Sequence, residues 1–209
     1  MTHTLTEICK EFGLNEADIV NVYGYGSRIY GTHREDSDYD YVVVFKSAML
    51  PDGSFKSNAK STEDRSMQII CYSRGGFKAG LENYDISCIE SLFLPSEFVV
   101  AKKWPFKMDK INIKEFASKI ISKASASWHS AGLALSDGEY YHAKKGYYHA
   151  VRILDFAKQL KDSNFTKLDF STAKAYWYEI SNVADEEFKH YVKHNLYKFR
   201  DQLFNDLRQ

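Results

Sequence analysis

Residues 24–45 read GYGSRIYGTHREDSDYDYVVVF, and the two ends of that stretch set the reading of everything around it. Its last seven residues, Tyr39 to Phe45, are a near-continuous run of β-branched and aromatic side chains, the pattern of a strand covered on both faces. The stretch just before and into it, DIVNVYGYG at residues 18–26, reads as another strand that breaks at Gly24 and Gly26. Between the strands lies a polar loop that opens with Gly26, Ser27 and Arg28 and closes with Asp38 and Asp40.

Asp38 and Asp40 alternate by two, so on a strand their side chains leave the same face. At ~3.3 Å per residue their Cα atoms lie about 6.6 Å apart, close enough to share one or two divalent ions held roughly 3.5–4 Å apart. In a plain turn, Asp36, Ser37 and Asp38 would only cap the strand start. The strand that follows shifts the balance, because charged side chains on a doubly covered strand need a partner, and a cation is the simplest one. Gly26, at a strand end, lets the backbone approach a phosphate. The N–H groups of a short helix over residues 28–30 would form an anion site, with the Ser27 hydroxyl as a further donor. An ordinary strand-to-helix turn with Ser27 as its N-cap has the same local pattern. Arg28 and Arg34 read as surface positions, and Arg28 is kept as a candidate nucleotide contact because it adjoins Ser27.

Outward from this stretch, residues 4–12 carry Leu5, Ile8 and Phe12 at helical spacing and end at Gly13. The polar segment LPDGSFKSNAKSTEDR contains a Pro51-Asp52-Gly53 turn signal and reads as an exposed hairpin or loop. MQIICYS is a third strand, residues 74–83 suit a helix, and a further helix closed by Pro95 leads to an extended piece ending at Pro105. No proline follows Pro105, and helical patterns fill about 112–136, 139–162 and 171–207, the last broken near Asp185. The expected fold is α+β: a mixed sheet flanked by helices over 1–105, then an all-helical bundle over 106–209. With no Gly/Ser linker between them, the two parts are expected to pack tightly.

The 209 residues are 44% hydrophobic and 15% aromatic, which excludes a disordered chain. No run approaches the ~20 apolar residues of a membrane span, and Glu7, Glu11, Glu16 and Asp18 interrupt any N-terminal signal, so a cytoplasmic protein without a membrane partner is expected. Cys9, Cys71 and Cys88 are odd in number and far apart, and read as buried thiols. The formal net charge is zero, yet residues 1–100 hold 9 Lys+Arg against 15 Asp+Glu and residues 101–209 hold 19 against 13. An acidic half can collect metal ions and a basic half phosphates. Along the helix EYYHAKKGYYHAVRILDFAKQL, Lys145, His149 and Arg152 share one face, flanked by Tyr148, Phe156 and Leu160. That flanking makes a stripe facing open water a poor reading and suggests that it faces the acidic site. His190 and His194 lack the glutamate of an H-E-x-x-H zinc motif and read as surface residues. Ser27 sits in no G-x-S-x-G elbow.

YGSRIYGTHREDSDYD resembles the G-S-x-x-x-G-x-x-x-x-x-S-D-x-D signature of the DNA polymerase beta-like nucleotidyltransferases. Within that superfamily it is most similar to the group called RNA-ligase-associated polymerases. Weaker similarity continues through YSRGGFKAGLEN, CIESLFLP and KKGYYHAVRIL. The resemblance implies two magnesium ions held by Asp38 and Asp40, with Gly26 and Ser27 on the β/γ-phosphates. It implies Lys145 and Arg152 on the triphosphate or the substrate backbone, with His149 orienting them. The helical half is expected to close over the nucleotide, and a nucleotidyl group to pass from a nucleoside triphosphate to a hydroxyl of RNA, a small molecule or a protein. One position departs from the pattern. The superfamily carries a third carboxylate on a later strand, and its place here falls on Gln68, which can ligate magnesium but cannot act as a base. Glu63, Asp64 or Asp85 could substitute, Asp64 being preferred because it lies just before the strand. Without such a group, the alternative is a nucleotide-binding or antitoxin-like module with weak or no turnover. A non-catalytic nucleic-acid-binding protein fits less well, since the basic half is only +6 and shows no obvious stripe of cations interleaved with aromatics.

Overall fold

The computed structural model describes residues 3–50, 52–57 and 60–209. Two compact units are present, Met1–Lys110 and Ile111–Gln209.

In the first unit, α1 (Leu5–Glu11) starts at a capping box in which Thr4 and Glu7 satisfy each other's backbone N–H groups, and the chain turns away at Gly13 with φ +62°. Five strands follow: β1 (Ile19–Tyr25), β2 (Tyr39–Phe45), β3 (Lys60–Ser61), β4 (Met67–Ser73) and β5 (Val99–Lys102). Their order in the sheet is β3-β4-β2-β1-β5. β1 is antiparallel to β2 and β5, β4 is antiparallel to β3, and β2 runs parallel to β4, so the sheet is mixed, as the sequence suggested. Two helices, α2 (Arg74–Glu82) and α3 (Ile86–Leu92), lie between β4 and β5.

Strand β2 occupies the middle of the sheet, which explains its run of valines. Tyr41 and Val43 join Ile8, Cys9, Val22, Met67, Ile69 and Cys71 in one core layer beside α1. The alternate residues face the other side, where Phe77 of α2 stacks on Tyr23 and meets Tyr72 edge-on. All three cysteines are buried free thiols. In the polar excursion, Gly53 N–H closes a turn onto Leu50 O and β3 pairs briefly with β4, while Pro51 lies outside the described residues.

The second unit is helical: α4 (Ile113–Ser136), α5 (Tyr140–Asp162), α6 (Ser171–Ser181), α7 (Asp185–Tyr191) and α8 (Tyr197–Arg208), with a π-turn at Val192–Leu196. α5 is the central helix and packs on α4, α6 and α8. Gly146 allows a close approach, since a Cβ there would lie 2.8 Å from that of Ala131 on α4. Two buried polar groups tie the unit together. Lys144 donates to Val183 O (2.6 Å) and to Asp185 (2.7 Å), fixing the α6–α7 connection. Asp155 accepts from Gln159, Thr172 and Tyr176. Among the described residues no helix is long and apolar enough to cross a membrane.

Candidate active site

The end of β1 and the start of β2 lie side by side, because Tyr25 is the register partner of Asp40. The chain leaves β1 through Gly26, whose φ of +78° favours a residue without a Cβ. Space demands glycine here as well. A Cβ on Gly26 would fall 2.0 Å from Oδ2 of Asp40 and 2.8 Å from its Cγ. The backbone of the loop's first residue therefore rests directly against the carboxylate at the loop's far end.

Residues 27–31 form a turn rather than the short helix expected over 28–30. Ile29 N–H donates to Gly26 O (3.1 Å) and Thr32 N–H reaches back to Ser27 O (2.9 Å), a wider closure than an α-helix makes. Among the described residues, the Ser27 hydroxyl makes no hydrogen bond and the N–H groups of Ser27 and Arg28 donate to none. Three donors are thus open on the two residues that follow Gly26, without a helix to supply them.

Arg28 faces its own loop. Its Nε donates to Asp38 O (3.0 Å), its Nη2 to Ser37 O (2.5 Å), and its guanidinium lies 3.8 Å from the centre of the Tyr39 ring. That clip fixes the backbone from which Asp38 projects, a task that spacing alone did not indicate. On the other side of the turn, the buried Tyr30 hydroxyl donates to buried Glu90 of α3 (2.6 Å), anchoring the loop to the unit's core. Asp38 and Asp40 are both partly buried.

Strand β4 brings Gln68 into register with Asp40. Paired residues of parallel strands project to the same face about 4.8 Å apart, so Gln68 is the neighbour of Asp40 that the alignment of motifs indicated. Asp64 is exposed in the turn between β3 and β4, where it accepts from the Thr62 hydroxyl (2.6 Å) and Ser66 N–H (2.9 Å), and Ser66 O of the same turn accepts from Tyr39 N–H (2.8 Å). Those hydrogen bonds hold its carboxyl well below the usual range, at about 2. Asp85 caps α3 through Ser87 and pairs with Lys56, and Glu63 is exposed. Among the described residues no three His, Cys, Asp or Glu side chains converge as a metal cage.

In the helical unit, Arg152 is fully buried, His149 partly so, and Lys145 exposed. Arg152 Nη2 lies 3.2 Å from His149 Nδ1. Arginine can only donate, so Nδ1 accepts and the neutral ring carries its proton on Nε2. Burial, followed by the charges of Arg152, Lys123 and Lys145, pushes the imidazole down to about 3. His190 and His194 are exposed, with tilted rings whose centres lie 4.1 Å apart, in line with a surface role.

A nucleotidyltransferase domain family profile matches residues 3–120, more than half of the chain. The chain belongs to the nucleotidyltransferase domain family. That match takes in the first unit from residue 3 onward and contains the Gly26–Asp40 loop. Among solved structures, the chain is similar to spectinomycin adenyltransferase AAD(9) from Enterococcus faecialis, with 12% identity over 99% of this chain and 100% of that one and a TM-score of 0.48. It is also similar to a nucleotidyltransferase-like protein from Exiguobacterium sibiricum 255-15, with 11% identity over 98% of this chain and 72% of that one and a TM-score of 0.36. Both superpositions are too loose to bear on the chemistry. No curated protein matches the chain.

The side chains at this end of the sheet offer the oxygen donors that a hard cation takes. Asp38, Asp40 and the amide oxygen of Gln68 are oxygen ligands, and magnesium is commonly bound through one or two carboxylates together with substrate phosphates rather than by an all-protein cage. Two carboxylates without a third converging acid fit that mode.

Proposed function

We propose that the chain is a magnesium-dependent nucleotidyltransferase that moves a nucleoside monophosphate from a nucleoside triphosphate to an acceptor hydroxyl. The observation that supports this reading is the contact between Gly26 and Asp40, followed in the chain by two residues with open donors, in a family-matched domain. Asp38 and Asp40 would hold the magnesium, two ions being expected, and magnesium supplies positive charge against the triphosphate when bound. The Ser27 hydroxyl and the N–H groups of Ser27 and Arg28 donate to the β/γ-phosphate oxygens. Arg28 positions Asp38, and Tyr30 with Glu90 holds the turn. By the family resemblance we assign Lys145, the exposed cation of α5, to the triphosphate, with His149 and Arg152 paired on the same helix. The acceptor hydroxyl forms a bond to the α-phosphorus as the bond to pyrophosphate breaks. The proton it sheds needs a base, and Gln68 cannot serve.

That last point favours a second reading, a nucleotide-binding or antitoxin-like module with weak turnover, because the register sets Gln68 where an acid would complete the site. At a finer level we read the signature as that of the RNA-ligase-associated polymerases, acting in the cytoplasm on RNA, a small molecule or a protein. Incubation with each of the four α-labelled triphosphates, magnesium and the three acceptor classes tests the proposal. Label in one acceptor class, abolished by chelator, supports transfer. Triphosphate binding without label in any acceptor supports the second reading, and absence of both binding and label defeats both.

A further inference from the structure

After β5 the chain runs through Lys102, Lys103, Trp104, Phe106, Lys107 and Lys110. This segment is held in place at Lys103, Trp104 and Phe106. Lys103 N–H donates to Val20 O (2.8 Å), and the fully buried Asn21 accepts from the N–H groups of Lys103 and Trp104 (2.9 Å each) and donates to Trp104 O (2.9 Å). Phe106 packs on Phe77 with ring centres 4.6 Å apart. A buried amide and a core phenylalanine are thus committed to fixing a stretch whose tryptophan remains 42% exposed.

One face of that indole is covered by Arg74, whose guanidinium carbon lies 4.6 Å from the ring centre, and among the described residues no other ring stacks on it. Lys102, Lys103, Lys110 and Arg74 pair with no carboxylate among the described residues, and only Lys107 does, with Asp109 (3.1 Å). The patch is therefore strongly positive within a unit of net charge −3. A flat ring on a fixed backbone, with Arg74 over one face and unneutralised lysines before and after it in the chain, matches a ligand that alternates π-faces and phosphates. Paired bases offer no face to stack on. Apolar chains of a lipid would meet lysines rather than further apolar side chains.

We propose that Trp104, Arg74, Lys102, Lys103 and Lys110 form a binding platform for single-stranded nucleic acid, with one base stacked on the open face of Trp104. The platform requires neither magnesium nor triphosphate, so it stands or falls separately from the transfer reaction.

The test is fluorescence anisotropy of a labelled oligouridylate of about 12 nucleotides, without magnesium or triphosphate, from about 50 to 200 mM salt. With four phosphates neutralised, the logarithmic salt slope is about −3, and Lys102→Ala/Lys103→Ala lowers its size by about 1.4. Trp104→Ala weakens binding roughly 10- to 100-fold, and Trp104→Phe restores most of it. Asn21 meets Trp104 through its backbone and not its indole, so the melting temperature of Trp104→Ala matches the parent. Parental affinity in Trp104→Ala, or equal affinity for duplex, heparin or anionic vesicles, overturns the proposal.

Discussion

Replacing Gly26 by alanine loads two separable penalties onto one residue. The backbone penalty arises because φ is +78°, a region that costs an L-residue about 1–2 kcal/mol. For a chain of this size that corresponds to a fall in melting temperature of about 2–8 °C. The second penalty is local to the chemistry. The new Cβ would sit 2.0 Å from Asp40 Oδ2, and restoring an ordinary contact of ~3.5 Å displaces that oxygen by about 1.5 Å. Misplacement by about 1 Å costs on the order of 100-fold in rate, so nucleotidyl transfer by Gly26→Ala should fall at least 100-fold. Gly13→Ala supplies the control: its φ is +62°, but nothing lies within 4 Å of its added Cβ. It should melt lower by a similar amount and transfer at the parental rate. Melting curves and labelled-triphosphate turnover on the two variants separate strain from carboxylate displacement. A folded Gly26→Ala protein with parental turnover would refute the reasoning, since it would mean that the position of Asp40 is immaterial.

Gln68→Asp completes the acidic face beside Asp40 and should raise turnover at least about tenfold. Asp64→Asn should loosen the β3–β4 turn and melt lower with little change in turnover, whereas a collapse of turnover would make Asp64 the third carboxylate. His149 is neutral in the fold and is held down to about 3, below its unfolded value of about 6.5. Its contribution to stability is complete above pH 6.5 and is lost as pH falls from there toward 3, at up to about 1.4 kcal/mol per pH unit. His149→Gln should flatten that slope in denaturant titrations, and an unchanged slope would remove His149 as its source. Lys145→Ala should weaken binding of a non-hydrolysable triphosphate roughly 10- to 100-fold, while Lys158→Ala, already paired with Asp162, should be silent. Equal affinities in the two variants would make Lys145 an ordinary surface residue.

Periodicity made most of this fold legible. The valine run could only be an interior strand, and the proline-free half with 3.6-residue spacing could only be helices. The two-residue β3 was out of reach because so short a strand shows no alternation. The turn after Ser27 was read as helix because the sequence does not reveal that Gly26 has positive φ, and the closure onto Ser27 O follows from it. Spacing showed that Lys145, His149 and Arg152 share a helix face, but burial depends on how α5 is surrounded, and only Arg152 is fully enclosed. Arg28 looked like a surface cation because its acceptors are carbonyls 9 and 10 residues away. Asp38 and Asp40 were visible from a local motif, whereas their relation to Gly26 and Gln68 is a matter of strand register. From sequence the stretch up to Pro105 reads only as an extended piece, because Arg74 and Asn21, which give it shape and charge, lie far away in sequence.

The most direct test of the central claim is magnesium-dependent transfer of label from the α-phosphate, compared between the parent, Asp38→Asn and Asp40→Asn. Each variant should keep its fold and lose transfer. Magnesium with triphosphate should raise the melting temperature of the parent alone, by a term that grows with the logarithm of ligand concentration. Parental transfer by a folded Asp38→Asn/Asp40→Asn double variant would contradict the account.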